Sequence, residues 1–146
     1  MKLTEHFTLS ELVASATARR LGIDNHAGLE IVSHLTQLAM GLEQIRAHLG
    51  APLHITSGYR CAALNRAVGG AKRSAHMEGW AADFVAPGFG SPLQIVRALQ
   101  GTAIQFDKLI QEGTWVHVSF HPDARRQVLT AHFSPDGGRP TYTEGA

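Results

Sequence analysis

The helical periodicity of residues 29–49 constrains the fold more than any other feature of the sequence. Across this stretch apolar residues recur at intervals of three and four, which is the period of one helix face. They are Ile31, Leu35, Leu38, Leu42, Ile45 and Leu49. The Gly50-Ala51-Pro52 sequence then ends the helix. A long helix with one apolar face needs a second layer to pack against, and the rest of the chain has to supply it.

Short strands and two smaller helices are predicted in the rest of the chain. A capping box that begins at Thr8 opens a short helix, and Ser91-Pro92 opens another that runs to Gln100. Strands are predicted at residues 53–56, 80–86, 108–111, 115–120 and 127–133. Because helices come first and strands follow with one inserted helix, we predict an α+β fold. In it, N-terminal helices pack on a small, mainly antiparallel sheet.

Length and composition limit the domain organisation and the partners. The 146 residues fit one domain, 1–146, whose last part, 135–146, is rich in Gly, Pro and Thr and is expected to be a mobile tail. The formal net charge of +1 argues against a nucleic-acid partner bound through its phosphates. No apolar run approaches the roughly 20 residues of a membrane span, so we expect no membrane insertion. Cys61 is the only cysteine, which excludes an intrachain disulfide and a cysteine-rich zinc site. We expect a monomer.

The segment from Ser74 to Asp83 carries the strongest chemical signal. If it were one helix, His76 and Asp83 would lie about 10 Å apart along its axis. Two ligands of one zinc ion have donor atoms only about 3–4 Å apart, so a straight helix does not suit a shared metal. A loop that bends at Gly79 and enters a strand brings the two residues together. An aspartate within that apolar strand needs a partner, which is either a metal or an arginine.

A second histidine is predicted on a neighbouring strand. In residues 115–120 the period of two puts Trp115, His117 and Ser119 on one face, and the apolar residues between them face a core. Two histidines and one aspartate on short, sheet-borne elements match a catalytic zinc site, which has three protein ligands and one open position.

Three motifs together resemble a known family of zinc peptidases. They are S-G-Y-R at 57–60, S-x-H-x-x-G-x-A-x-D at 74–83 and W-V-H at 115–117. They are similar to the zinc D-alanyl-D-alanine carboxypeptidases, a family that includes D-Ala-D-Ala dipeptidases and phage endolysins that cut L-alanyl-D-glutamate bonds. The family shares its fold with the hedgehog signalling domain. The resemblance covers roughly residues 5 to 121, and its opening at 6–12 resembles a subgroup common in bacteria and prophages.

The resemblance implies a Zn²⁺ ion held by His76, Asp83 and His117, and a peptidoglycan stem peptide as the substrate. The implied activity is hydrolysis by a DD-carboxypeptidase or an endopeptidase, including a phage or prophage endolysin. The first residues contain no apolar signal-peptide region. We therefore expect synthesis in the cytoplasm and action on the cell wall, in the periplasm, after release.

The residues around the ligands each have two interpretations. The resemblance implies that Arg60 contacts substrate, where its guanidinium suits a peptide carboxylate or an oxyanion. The alternative is a structural ion pair between Arg60 and Asp83 or Glu112. Ser74 either binds substrate or caps a turn, and Trp115 either walls the cleft or packs in the fold.

The general base departs from the family pattern. Many relatives carry a glutamate or aspartate three residues before the final histidine, and Thr114 occupies that position here. Glu112, five residues before His117, is the preferred base. Glu78 and the more remote Asp107 are the competing candidates.

Three other functional interpretations compete with a peptidase. His76-Met77-Glu78 matches the H-x-E of zinc nucleobase deaminases, but that class also needs a downstream P-C-x-x-C, and Cys61 lies upstream. A non-catalytic, zinc-containing cell-wall-binding module would keep the ligands without the chemistry. A domain without metal would pair Asp83 with Arg60.

Overall fold

The computed structural model describes residues 1–146 and contains five α-helices and one six-stranded sheet. The helices are α1 (Leu9–Val13), α2 (Ala16–Leu21), α3 (Leu29–Leu49), α4 (Ala62–Ala67) and α5 (Pro92–Gln100). The strands are β1 (His54–Ser57), β2 (Ala81–Val85), β3 (Lys108–Gln111), β4 (Val116–Ser119), β5 (Gln127–His132) and β6 (Thr141–Glu144). A short 3₁₀ turn, Ala75–Glu78, precedes β2. None of the helices has the length and apolarity needed to cross a bilayer.

The sheet has the strand order β1-β2-β4-β3-β5-β6. Every neighbouring pair is antiparallel except β3 and β5, which are parallel. The predicted α+β fold with a mainly antiparallel sheet is therefore confirmed.

One face of the sheet and the apolar face of α3 form the core. Leu35, Leu38 and Leu42 of α3 are fully buried, as the periodicity of residues 29–49 predicts. Val116 and Val118 of β4 are buried in the same cluster. Since side chains alternate along a strand, His117 between them faces the opposite side of the sheet. The core thus leaves that opposite face available for polar residues.

The segment expected to be a mobile tail contributes a strand that the sequence analysis did not predict. Residues Thr141–Glu144 form β6, which pairs with β5 from Leu129↔Glu144 to His132↔Thr141. Threonine and tyrosine favour strands. In this four-residue run, however, the Gly and Pro residues on either side mask that preference in the sequence. The helices α2 and α4 were also missed, because six residues are too few to show a helical period.

Candidate metal centre

Three side chains from three elements converge on the open face of the sheet. Asp83 in β2 lies directly opposite His117 in β4 in the antiparallel register. His76 comes from the 3₁₀ turn that leads into β2. That turn begins at Ser74, whose hydroxyl accepts a hydrogen bond from the His76 N–H at 3.2 Å. It ends at Gly79, which adopts the left-handed conformation at φ 78°. The predicted bend at Gly79 is thus confirmed.

The ligand atoms are spaced as donors to one metal ion. Asp83 Oδ1 lies 3.2 Å from His76 Nε2 and 3.0 Å from His117 Nδ1. The three candidate ligand atoms all lie within 4.8 Å of one another. Donors bound to one zinc at about 2.0–2.2 Å are separated by roughly 3–4 Å. The group could therefore hold a metal ion with little rearrangement.

The hydrogen bonding of His76 fixes which of its nitrogens faces the centre. Its Nδ1 lies 2.7 Å from the Gly58 carbonyl oxygen, which can only accept, so Nδ1–H is the donor. Nε2 then presents its lone pair toward the Asp83 carboxylate. A metal ion would satisfy that lone pair and the carboxylate together. Donation of the remote N–H to a backbone carbonyl is the usual arrangement of a metal-ligating histidine.

Asp83 is held in its charged form. Burial alone would raise the pKa of its carboxyl, but hydrogen bonds and charges from His117 and His76 outweigh burial and hold the pKa well below its ordinary value. A carboxylate must be deprotonated to bind a metal. Asp83 therefore remains available as a ligand throughout the neutral and mildly acidic range.

Gly58 supports His76 through its backbone, and this role gives a prediction. A Cβ at position 58 would overlap the carbonyl oxygen of Leu12, so Gly58→Ala has to displace the peptide whose carbonyl orients His76. Loss of such an orienting contact typically costs about 10–100-fold in metal affinity. We expect Gly58→Ala to weaken zinc binding by about this factor in a competition titration. Gly101→Ala is the matched control, since a Cβ there meets nothing within 4 Å. Equal zinc affinity in the two variants would contradict the role of Gly58.

Arg60 lies beside the metal group in a fixed orientation. Its Nε donates to Ser57 Oγ at 3.1 Å, one terminal nitrogen donates to Asn65 Oδ1 at 3.3 Å, and the other donates to Asp83 Oδ2 at 3.4 Å. The Asp83 oxygen that Arg60 contacts is not the one that faces the two histidines. The ion pair with Arg60 and the metal group are thus compatible. Three of the five guanidinium N–H groups are engaged, which leaves two uncommitted.

Two asparagines that the sequence analysis did not single out position Arg60. The Asn25 side chain donates to the Tyr59 carbonyl and accepts from the Cys61 N–H, so it fixes both neighbours of Arg60. Asn65 is 3% exposed, and it donates to the Ala71 carbonyl while it accepts from Arg60. Single asparagines in loops carry no periodic signal, so no sequence pattern identified them.

Of the three candidate bases, Glu112 is the one that the charges of His117 and Asp83 reach. It follows β3 and is half-buried, and burial raises the pKa of its carboxyl. The charge of His117 opposes that rise and the charge of Asp83 adds to it, so Glu112 lies within electrostatic reach of both. Glu78 is exposed. Both oxygens of the Asp107 carboxylate accept hydrogen bonds from Arg125 at 2.9 Å.

Ser74 and Trp115 each lie two residues before a histidine of the metal group, and contact between either residue and a substrate stays a prediction. The Ser74 hydroxyl caps the turn that carries His76, which is the structural one of the two roles predicted for it. Trp115 precedes β4 and is partly exposed. Its ring lies 6.5 Å from that of Phe133, centroid to centroid, in a tilted arrangement.

Comparison with known proteins gives one family. The profile described as Peptidase M15 matches residues 5–119, which include Arg60 and the group of His76, Asp83 and His117. No curated protein matches the chain.

Proposed function

The chain belongs to the peptidase M15 family, and on that basis we propose that it hydrolyses a peptide bond in the stem peptides of bacterial peptidoglycan. Members of this family are in general zinc-dependent metallopeptidases. The observation that carries the proposal is the convergence of His76, Asp83 and His117, with ligand atoms within 4.8 Å of one another. This group has the donor set and spacing that such a peptidase needs.

Each residue of the site has a proposed task. His76, Asp83 and His117 would hold zinc, which when bound acts as a Lewis acid and lowers the pKa of a water molecule toward about 7. The Glu112 carboxylate accepts a proton from the attacking water and delivers it to the leaving amine. A glutamate whose pKa is raised by burial suits this exchange better than a fully solvated one.

Arg60 is proposed to orient the substrate through its two uncommitted N–H groups, and Arg60→Lys tests this. Lysine keeps the charge but loses the planar fork that donates to Ser57, Asn65 and Asp83 at once. We expect kcat/KM to fall by about 10- to 100-fold, since misplacement of a substrate by about 1 Å can cost 10²-fold, while the zinc content stays unchanged. The rate and the metal content are measured on the same preparations. Near-wild-type activity would leave Arg60 a purely structural role.

A non-catalytic, zinc-containing wall-binding module is the second candidate function. The observation that favours it is Thr114, an exposed residue at the position where many relatives have an acidic base. Such a module would bind murein and release no fragments from it.

Digestion of purified murein tests the proposal and separates the two candidates. The protein is incubated with murein, and soluble products are identified by mass spectrometry. Loss of a terminal D-alanine indicates a carboxypeptidase, and release of longer stem fragments indicates an endopeptidase, the activity expected of an endolysin. Binding to murein without any product would favour the wall-binding module.

A further inference from the structure

The face that carries the metal group continues across the whole sheet. In the register of the six strands one row of paired residues runs Ser57, Asp83, His117, Ile110, Leu129, Glu144. Since paired residues in a sheet share a face, β5 and β6 extend the floor of the site beyond His117.

Three strand spacings of about 4.8 Å place Glu144 about 14 Å from His117. An extended peptide advances about 3.4 Å per residue. A long side chain on a peptide residue about two positions from the bond at the metal group would therefore reach Glu144.

This extension exposes two large aromatic side chains next to the site. Phe133 and Tyr142 are 52% and 47% exposed. The small residue Ala131, which pairs with Tyr142 in the register, is buried on this face. A Cβ at Gly113, in the hairpin that follows Glu112, would lie 3.2 Å from the Phe133 ring. We call Leu129, Phe133, Tyr142 and Glu144 the distal strip. Exposed neighbouring apolar side chains of this kind mark binding surfaces.

The distal strip combines aromatic rings with negative charge. Glu144, which is exposed, lies on β6 two residues from Tyr142, and Glu112 is near enough to Tyr142 for its charge to act on the phenol. Lys108 also lies on this face, but it is at the opposite end of β3 from Glu112. Aromatic faces and carboxylates together favour a cation, through cation–π attraction and charge complementarity. Leu129 and Phe133 add an apolar surface for an aliphatic stem.

The family match ends at residue 119, so the strands that form the distal strip, β5 and β6, lie outside it. We propose that the distal strip is a specificity subsite that binds a substrate side chain with an aliphatic stem and a terminal ammonium group. The occupant is the diamino-acid side chain of the stem peptide. This inference rests on the proposed function, because it assigns the strip to the same substrate.

The experiment compares two synthetic stem peptides that differ in one group. One contains a single lysine, and the other has norleucine in its place, which keeps the stem and removes the ammonium. Both are mixed with the zinc-loaded full chain, and their relative rates of disappearance give the ratio of kcat/KM. We expect a preference for the lysine peptide of about 5- to 30-fold, the range for a partly desolvated cation–π contact. Tyr142→Ala and Glu144→Gln should each reduce that ratio toward one.

Controls and a second readout keep the outcomes distinct. Phe89→Ala and Glu30→Gln remove an exposed aromatic ring and an exposed carboxylate elsewhere, and they should leave the ratio unchanged. If the wild type cleaves neither peptide, the proposed function fails, and calorimetric Kd values for the same pair then test the subsite alone. A lysine preference in Kd that both strip variants lose would support the subsite. Equal kcat/KM or Kd for the two peptides, or a preference that neither strip variant changes, would overturn it.

Discussion

Replacing His117 with alanine is expected to remove the metal and the peptidase activity together. His117 is one of the three proposed ligands, and its ring nitrogen lies 3.0 Å from Asp83 Oδ1. Its neighbours on the strand, Val116 and Val118, are buried. The loss of one ligand from a three-ligand site should lower the zinc content from about one per chain to near zero. Because the Lewis-acid contribution of the metal is worth several kcal/mol, the rate should fall by about 10³-fold or more.

His76→Ala should give the same result, and a third histidine provides the control. His48 is exposed in the last turn of α3, so His48→Ala should keep both zinc and activity. Elemental analysis and a murein-release assay on the same preparations measure the two quantities. Full zinc in both the His76→Ala and His117→Ala proteins would show that the ligand assignment is wrong.

The second large effect is expected for Glu112→Gln. Glutamine keeps the size of the side chain and one hydrogen-bonding oxygen, but it cannot accept the proton. General-base catalysis typically contributes about 10²–10⁴-fold, so kcat should fall by about that factor while folding and zinc content stay nearly unchanged. The half-buried position of Glu112 and its coupling to His117 and Asp83 support this expectation.

Glu78→Gln is the matched control for Glu112→Gln. Glu78 is exposed, and it takes part in the fold through its backbone carbonyl, which lies 2.6 Å from His34 Nδ1. The substitution removes only a solvated charge and should have little effect on kcat. An inactive Glu78→Gln protein with an active Glu112→Gln protein would transfer the role to Glu78. If both remain active, the base is a residue other than these two.

Local patterns predicted the elements that carry the site. The period of three and four identified α3, and the period of two correctly separated His117 from its buried neighbours Val116 and Val118. The bend at Gly79 followed from the need to bring His76 and Asp83 together. These features depend on residues close in sequence, which is where periodicity is informative.

The parts of the site that depend on distant residues were not predictable in this way. Asn25 contacts the backbone of Tyr59 and Cys61, which lie 34 and 36 residues further along the chain. Gly58 accepts from His76 across 18 residues. Such contacts depend on the tertiary fold, and a single asparagine or glycine leaves no local trace of them. The strand β6 was missed for a different reason, since its four residues lie within a composition typical of a mobile tail.

Metal-dependent release of peptides from murein tests the central claim most directly. Soluble fragments are measured for the purified protein, for the same protein after zinc is stripped with a chelator, and after zinc is added back. A zinc peptidase should release fragments, lose that activity with the metal, and recover it as the content returns to about one zinc per chain. Fragment release that continues unchanged in protein shown by elemental analysis to be free of metal would contradict the account.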